Sequence, residues 1–147
     1  MKAKVFLVTV AALLVIATAA SAARLDVITG TSGPDQLSGT GGNDLIYARG
    51  GNDIVRAHGG NDVIYAGPGN DVTWPGAGAD VQYGGEGNDV LHALANDNQP
   101  DILDCGPGYD VAYVIVHDPA RFRGCEQIIR LTPEQAAALA AANDDNS

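Results

Sequence analysis

At 147 residues the chain has room for one domain once its end segments are set aside, and its formal charge of −10 excludes unaided nucleic-acid binding while favouring cations. One Trp, two Phe and five Tyr are too few for a large globular core. Stability must come from backbone hydrogen bonds, a thin core and bound ions.

The chain opens with Lys2 and Lys4, and then an apolar or small run from Val5 to Ala20. Ala20-Ser21-Ala22, or Ser21-Ala22-Ala23, supplies a small-residue cleavage pattern. The run falls short of the roughly 20 residues that a membrane span needs. A retained anchor is the alternative, but a signal peptide over residues 1–23 is the expectation. It predicts a secreted, extracellular or cell-surface protein with no stable membrane span after cleavage. Loss of Lys2 and Lys4 would take the charge from −10 to −12.

Leu25-Asp26-Val27-Ile28 is a short strand candidate. From Gly30 to His92 the sequence repeats every nine residues: GTSGPDQLS, GTGGNDLIY, ARGGNDIVR, AHGGNDVIY, AGPGNDVTW, PGAGADVQY and GGEGNDVLH. Asp35, Asp44, Asp53, Asp62, Asp71, Asp80 and Asp89 stand in phase, each two residues after a glycine: Gly33, Gly42, Gly51, Gly60, Gly69, Gly78 and Gly87. Asp26 lies nine residues before Asp35, as an opening half-repeat without its glycine turn. Each unit reads as a six-residue turn and a three-residue strand of β-formers. Glycine suits a turn that visits positive φ and approaches its neighbour closely. Asn43, Asn52, Asn61, Asn70 and Asn88, each before an aspartate, also tolerate left-handed geometry.

Gly84-Gly85-Glu86-Gly87-Asn88-Asp89 resembles the Gly-Gly-x-Gly-x-Asp nonapeptide of the haemolysin-type calcium-binding (RTX) family. Ala48-Arg49, Ala57-His58, Pro34 and Ala79 depart from that pattern. The resemblance implies an all-β fold, a parallel β-roll (RTX solenoid) with two nonapeptides per turn of the roll. Asp35, Asp53, Asp71 and Asp89 would then form one column, and Asp44, Asp62 and Asp80 the other. Calcium would lie between stacked turns, held by these carboxylates and by loop carbonyls such as those of Gly42, Gly51, Gly60, Gly69, Gly78 and Gly87. Three gaps on one side and two on the other imply about five Ca2+ ions.

The same resemblance turns Leu37, Ile46, Val55, Ile64, Thr73, Gln82 and Leu91 inward, with Thr73 and Gln82 as sites of looser packing. Tyr47, Tyr65 and Tyr83 would form one outward ladder, with Arg56, Trp74 and His92 opposite. That ladder is read first as cross-strand packing and alternatively as a surface for a protein or glycan partner.

After His92 the period breaks. Residues 93–100 are an insertion, and the aspartate phase resumes at Asp101 and Asp110. Asp110 could ligate an ion at the end of the stack; Asp97, Asp101 and Asp104 are weaker candidates. Cys105 and Cys125 are the only cysteines, and in an exported chain a disulfide between them is the default. Cys105-Gly106-Pro107-Gly108-Tyr109-Asp110 with Gly124-Cys125-Glu126 resembles the C-terminal cap of exported bacterial proteins of this class. Thr132-Pro133-Glu134-Gln135 starts a short helix with a capping box. The expected organisation is a signal peptide (1–23), a calcium-binding β-roll (24–92), a degenerate repeat and disulfide-tied cap (93–130), and a short helix with an acidic tail (131–147).

His58, His92 and His117 are scattered, and solvent exposure is expected for His58 and His92. No nucleophile motif or HExxH motif is present, so no enzyme is expected. The expected function is an exported calcium-binding protein that folds on its ions, in a structural or adhesive role.

Overall fold

The computed structural model describes residues 24–144; the expected signal segment 1–23 lies outside them, as do the last three residues. Twelve strands precede one helix: β1 (Asp26–Thr29), β2 (Gln36–Ser38), β3 (Asp44–Tyr47), β4 (Ile54–Arg56), β5 (Val63–Tyr65), β6 (Val72–Trp74), β7 (Val81–Tyr83), β8 (Val90–Ala93), β9 (Ile102–Asp104), β10 (Val111–Ile115), β11 (Arg121–Arg123), β12 (Gln127–Leu131) and α1 (Pro133–Asp144).

Each nonapeptide supplies one short strand, and its glycine-rich turn delivers the chain to the opposite sheet. Odd strands form one six-stranded sheet, β1-β3-β5-β7-β9-β11, and even strands the other, β12-β10-β8-β6-β4-β2. The eighteen-residue period fixes a parallel register: Ile46 pairs with Ile64 and Tyr47 with Tyr65, and Ile54 pairs with Val72. The insertion lengthens one rung without breaking this register, so Val81 pairs with Ile102 and Val90 with Val111. The result is an all-β parallel β-roll with a C-terminal disulfide and a short terminal helix.

Side chains alternate across a strand, so the middle residue of each three-residue strand points inward. Ile46, Val55, Ile64, Thr73, Gln82 and Leu91 are fully buried. Two apolar clusters result. One holds Ile46, Ala48, Val55, Ala57 and Ile64. The other holds Leu91, Ala93, Leu103, Cys105, Ala112 and Val114. Thr73 and Gln82 lie between them. The looser packing expected there is not what the side chains show. Thr73 Oγ1 donates to Gln82 Oε1 at 2.5 Å, and Gln82 Nε2 donates to the His92 carbonyl at 2.8 Å. The polar rung is internally satisfied, which removes most of the cost of burying it.

The odd-strand face carries the Tyr47–Tyr65–Tyr83 ladder, with ring centroids 5.1 and 4.7 Å apart. On the even-strand face, His92 stacks between Trp74 and Tyr113. The expectation that His92 is solvent-exposed is corrected: it is 4% exposed. Leu94 and Ala95 of the insertion and Ala140 of α1 share a cavity with it and Trp74. Its Nδ1 donates to the Thr73 carbonyl at 2.9 Å, and burial pushes its pKa down to about 4.

The C-terminal segment adds a final rung. Cys105 occupies the opening position of the degenerate turn and is disulfide-bonded to Cys125, with Cα atoms 5.2 Å apart. Strand β11, not anticipated from the sequence, extends the odd sheet, and Arg123 pairs with Asp104 there. The helix starts as its residues dictate: Thr132 N–H donates to Gln135 Oε1 at 2.9 Å and Gln135 N–H to Thr132 Oγ1 at 3.3 Å.

Candidate metal centres in the stacked turns

Each aspartate sits where its turn becomes a strand, so an eighteen-residue rise places it directly over its counterpart. The amide N–H of Asp35 donates to Asp53 Oδ1, Asp53 to Asp71, and Asp71 to Asp89, at 2.7–2.9 Å. The column continues from Asp89 to Asp110 Oδ1 and from Asp110 to Glu126 Oε2. On the other side Asp44 donates to Asp62, Asp62 to Asp80, and Asp80 to Asp101, at 2.8–3.0 Å. Asp26 pairs in register with Asp44 at the base of this second column. Asp101, weighed lightly in the sequence, thus takes a full ladder position, as does Asp110.

Asparagine makes a second ladder running the opposite way. Asn61 N–H donates to Asn43 Oδ1, Asn70 to Asn52, Asn88 to Asn70, and Tyr109 to Asn88, at 2.8–3.0 Å. The expected left-handed role of these asparagines is therefore replaced by side-chain stacking, and none of them has positive φ. Its logic is visible only once the turns are superposed.

The turns fall into two kinds. In the first two, the second residue is threonine, and its N–H closes on the turn's own carboxylate. Thr31 reaches Asp35 Oδ2 and Thr40 reaches Asp44 Oδ2, both at 2.6 Å. From the third turn on, the second and fourth positions both have positive φ: Arg49 and Gly51, His58 and Gly60, then Gly67, Gly69, Gly76, Gly78, Gly85 and Gly87. Arg49 and His58 adopt the glycine conformation in spite of their side chains, at a cost of roughly 1–2 kcal/mol each.

In these later turns the second carboxylate oxygen has no partner. Oδ2 of Asp53, Asp62, Asp71, Asp80, Asp89 and Asp110 is buried and without a hydrogen bond. The carbonyls of Gly51, Gly60, Gly69 and Gly87 press against Gly69, Gly78, Gly87 and Gly108 of the turn above, where any Cβ would overlap them. Gly42 approaches Gly60 in the same way, with its carbonyl oxygen 2.6 Å from where a Cβ would stand. The stacked turns are therefore rich in closely spaced carboxylate and carbonyl oxygens. That is the donor set of a hard cation that takes 6–8 oxygens.

Among the described residues no three His, Cys, Asp or Glu side chains converge on one point, so backbone carbonyls would have to supply much of each ion's shell. The electrostatics ask for positive charge. Burial pushes Asp62 and Asp71 up to about 6, and Asp80, Asp89 and Asp101 up to about 7. The N–H that each accepts opposes this, and neighbouring aspartate charges reinforce it.

The family model for the RTX calcium-binding nonapeptide repeat, in four copies, matches residues 24–55, 49–82 and 74–99. These spans cover just over half of the chain. The chain belongs to this family. It is a calcium-binding RTX β-roll, and the nonapeptide is a structural unit that binds calcium, not a catalytic one. No curated protein and no solved structure matches the chain. No helix among the described residues is long and apolar enough to cross a membrane.

Proposed function

We propose that this RTX β-roll works outside the cell as a scaffold whose fold is held by calcium, in a structural or adhesive role. The observation that supports it is the row of buried Oδ2 atoms without partners in the stacked turns. Without ions the aspartates of a column repel one another at about 4.8 Å spacing, and the thin core does little to offset this. Calcium cross-links the turns, so binding free energy becomes folding free energy. Sites of extracellular modules bind at about 10⁻⁴–10⁻³ M, which suits exterior calcium.

The ligands we assign are the ladder aspartates Asp53, Asp62, Asp71, Asp80 and Asp89 with Asp101 and Asp110, and the glycine carbonyls of the same turns. Threonine closure argues against full sites at Asp35 and Asp44. The total stays at about five ions, but their positions shift one turn towards the C-terminus. They occupy the gaps Asp53/Asp71, Asp71/Asp89, Asp89/Asp110, Asp62/Asp80 and Asp80/Asp101. Native mass spectrometry in calcium tests this. Asp71→Asn should remove about two ions and Asp35→Asn none; equal losses from both would refute the assignment.

Export through the signal segment 1–23 is part of this reading. N-terminal sequencing of protein recovered from the medium should begin at Ala23 or Arg24.

A second reading rests on the tyrosine ladder. Tyr47, Tyr65 and Tyr83 are 36–39% exposed and stacked on the odd-strand face. Flat rings in a row fit a sugar chain or an apolar protein surface. Changing all three to Ser should abolish glycan-array or pull-down binding while leaving the calcium-bound circular dichroism unchanged.

A further inference from the structure

The even-strand face carries a cavity in which the calcium sites have no part. Its volume is about 290 Å³, and it lies where the sheet, the insertion and α1 meet. Trp74 and Pro75 come from β6 and the turn after it, His92 from β8, Leu94 and Ala95 from the insertion, and Ala140 from α1. No carboxylate, arginine or lysine lines it. The residues at 95 and 140 are alanines, so neither side chain fills the space.

His92 supplies the one titratable group of the lining. Both faces of its ring are covered, by Trp74 with centroids 3.4 Å apart and by Tyr113 at 5.1 Å. The ring can therefore offer the cavity only its edge. Nδ1 is bonded to the Thr73 carbonyl at 2.9 Å. A carbonyl only accepts, so Nδ1 carries the proton, and in the neutral ring Nε2 is a bare lone pair. Burial keeps the ring neutral, with its pKa pushed down to about 4. Among the described residues nothing donates to Nε2, and that atom is not sealed from solvent.

We propose that this cavity is a binding site for a small, uncharged aromatic molecule that donates one O–H or N–H to His92 Nε2, of the class of simple phenols and indoles. Size sets the first limit. An apolar cavity of about 150 Å³ holds benzene, so one of about 290 Å³ admits a substituted ring or two fused rings. Charge sets the second. An anion would meet no cation there, in a chain whose formal charge is −10, and a cation would meet no carboxylate. Apolar walls with one fixed polar group are what orient a small ligand, and aromatic walls favour an aromatic guest. The site is separate from the tyrosine ladder, which lies on the other sheet.

The probe is para-cresol, compared with its methyl ether, which keeps the ring and loses the O–H. Each is titrated into the calcium-loaded chain, whose sheet spectrum is checked first. Binding is followed by calorimetry and by the emission of Trp74, the single tryptophan. Excitation at the red edge of indole absorption avoids both the phenol and the tyrosines. The wild type should bind the phenol at a single site with a change in Trp74 emission. The ether should bind about tenfold more weakly, as for a buried acceptor left unpaired. Ala95→Leu, which fills the cavity and alters no carboxylate, should abolish phenol binding and leave the calcium titration unchanged. His92→Phe keeps a flat ring between Trp74 and Tyr113 and should bind phenol and ether alike. The proposal would be overturned by a folded wild type that binds no phenol or binds the ether equally well. An Ala95→Leu chain that binds like the wild type, or a His92→Phe chain that still prefers the phenol, would overturn it too.

Discussion

Asp71 Oδ1 accepts the amide N–H of Asp53 at 2.7 Å, while Asp71 Oδ2 is buried without a partner. One oxygen builds the ladder, and the other is the one we assign to an ion. Asp71→Asn separates the two duties, because an amide oxygen can still accept the N–H but the charge is gone. In chelator the variant should be more stable than the wild type, since repulsion within its column falls. In calcium it should be less stable, with the midpoint calcium concentration for folding raised about tenfold, as loss of a charged ligand implies. Thermal melts in both conditions check this inversion of sign.

The raised aspartate pKa values set the pH dependence of the calcium-free chain. Asp62 and Asp71 sit near 6, and Asp80, Asp89 and Asp101 near 7, against an ordinary value of 3.8. The folded chain thus binds more protons than the unfolded one. That contribution to stability is complete below about pH 4 and is lost as the pH rises through 6 and 7. In chelator, sheet content should increase from pH 7.5 to pH 5. With calcium present the ion displaces those protons, so less calcium should be needed as the pH rises across the same window. Circular dichroism titrations between pH 5 and 8 measure both trends.

Two glycines at the same place in their repeats should respond oppositely. Gly69 has φ of 149°, and a Cβ there would overlap the Gly51 carbonyl. Gly33 lies in a threonine-closed turn, where the nearest atom to an added Cβ is Thr31 Oγ1 at 4.0 Å. Gly69→Ala should prevent folding at any calcium concentration or force the roll to split. Gly33→Ala should change the melting temperature by no more than a degree or two, within the range of about 0.5 kcal/mol typical of surface changes.

How far the sequence reaches can be read from these turns. The resemblance to the nonapeptide family, with two repeats per turn, placed Asp53 over Asp35 and Ile64 over Ile46; the nine-residue period alone leaves open whether Asp44 or Asp53 stacks on Asp35. The same period could not show that Thr31 and Thr40 close the first two turns, since that depends on a hydrogen bond back to Asp35 and Asp44 within one loop. Nor could it reveal the role of Asn61, which becomes visible only when Asn43 lies one rung below. The burial of His92 is long-range: Trp74 and Tyr113, one rung away on either side, stack on its ring, and the insertion and α1 line the cavity beside it. Asp97, which accepts the Gly78 N–H, carried little signal because it lies outside the phase of the ladder aspartates.

The Cys105–Cys125 bridge closes a loop of twenty residues and ties the last rung to the degenerate turn. In the chain-entropy model such a loop contributes about 3 kcal/mol. Cys105→Ser/Cys125→Ser should lower the melting temperature of the calcium-bound protein and raise protease cleavage around β11 and β12 first. Cleavage appearing first in the turns that carry Asp44, Asp53, Asp62 and Asp71 would contradict this order.

The central claim is that calcium and fold are one equilibrium. Far-ultraviolet circular dichroism of the mature chain at pH 7.5, first in chelator and then with millimolar calcium, tests it most directly. The chelated chain should give the spectrum of a largely unfolded polypeptide, and calcium should restore a β-sheet spectrum cooperatively and reversibly. A sheet spectrum of the same strength in chelator would contradict the account.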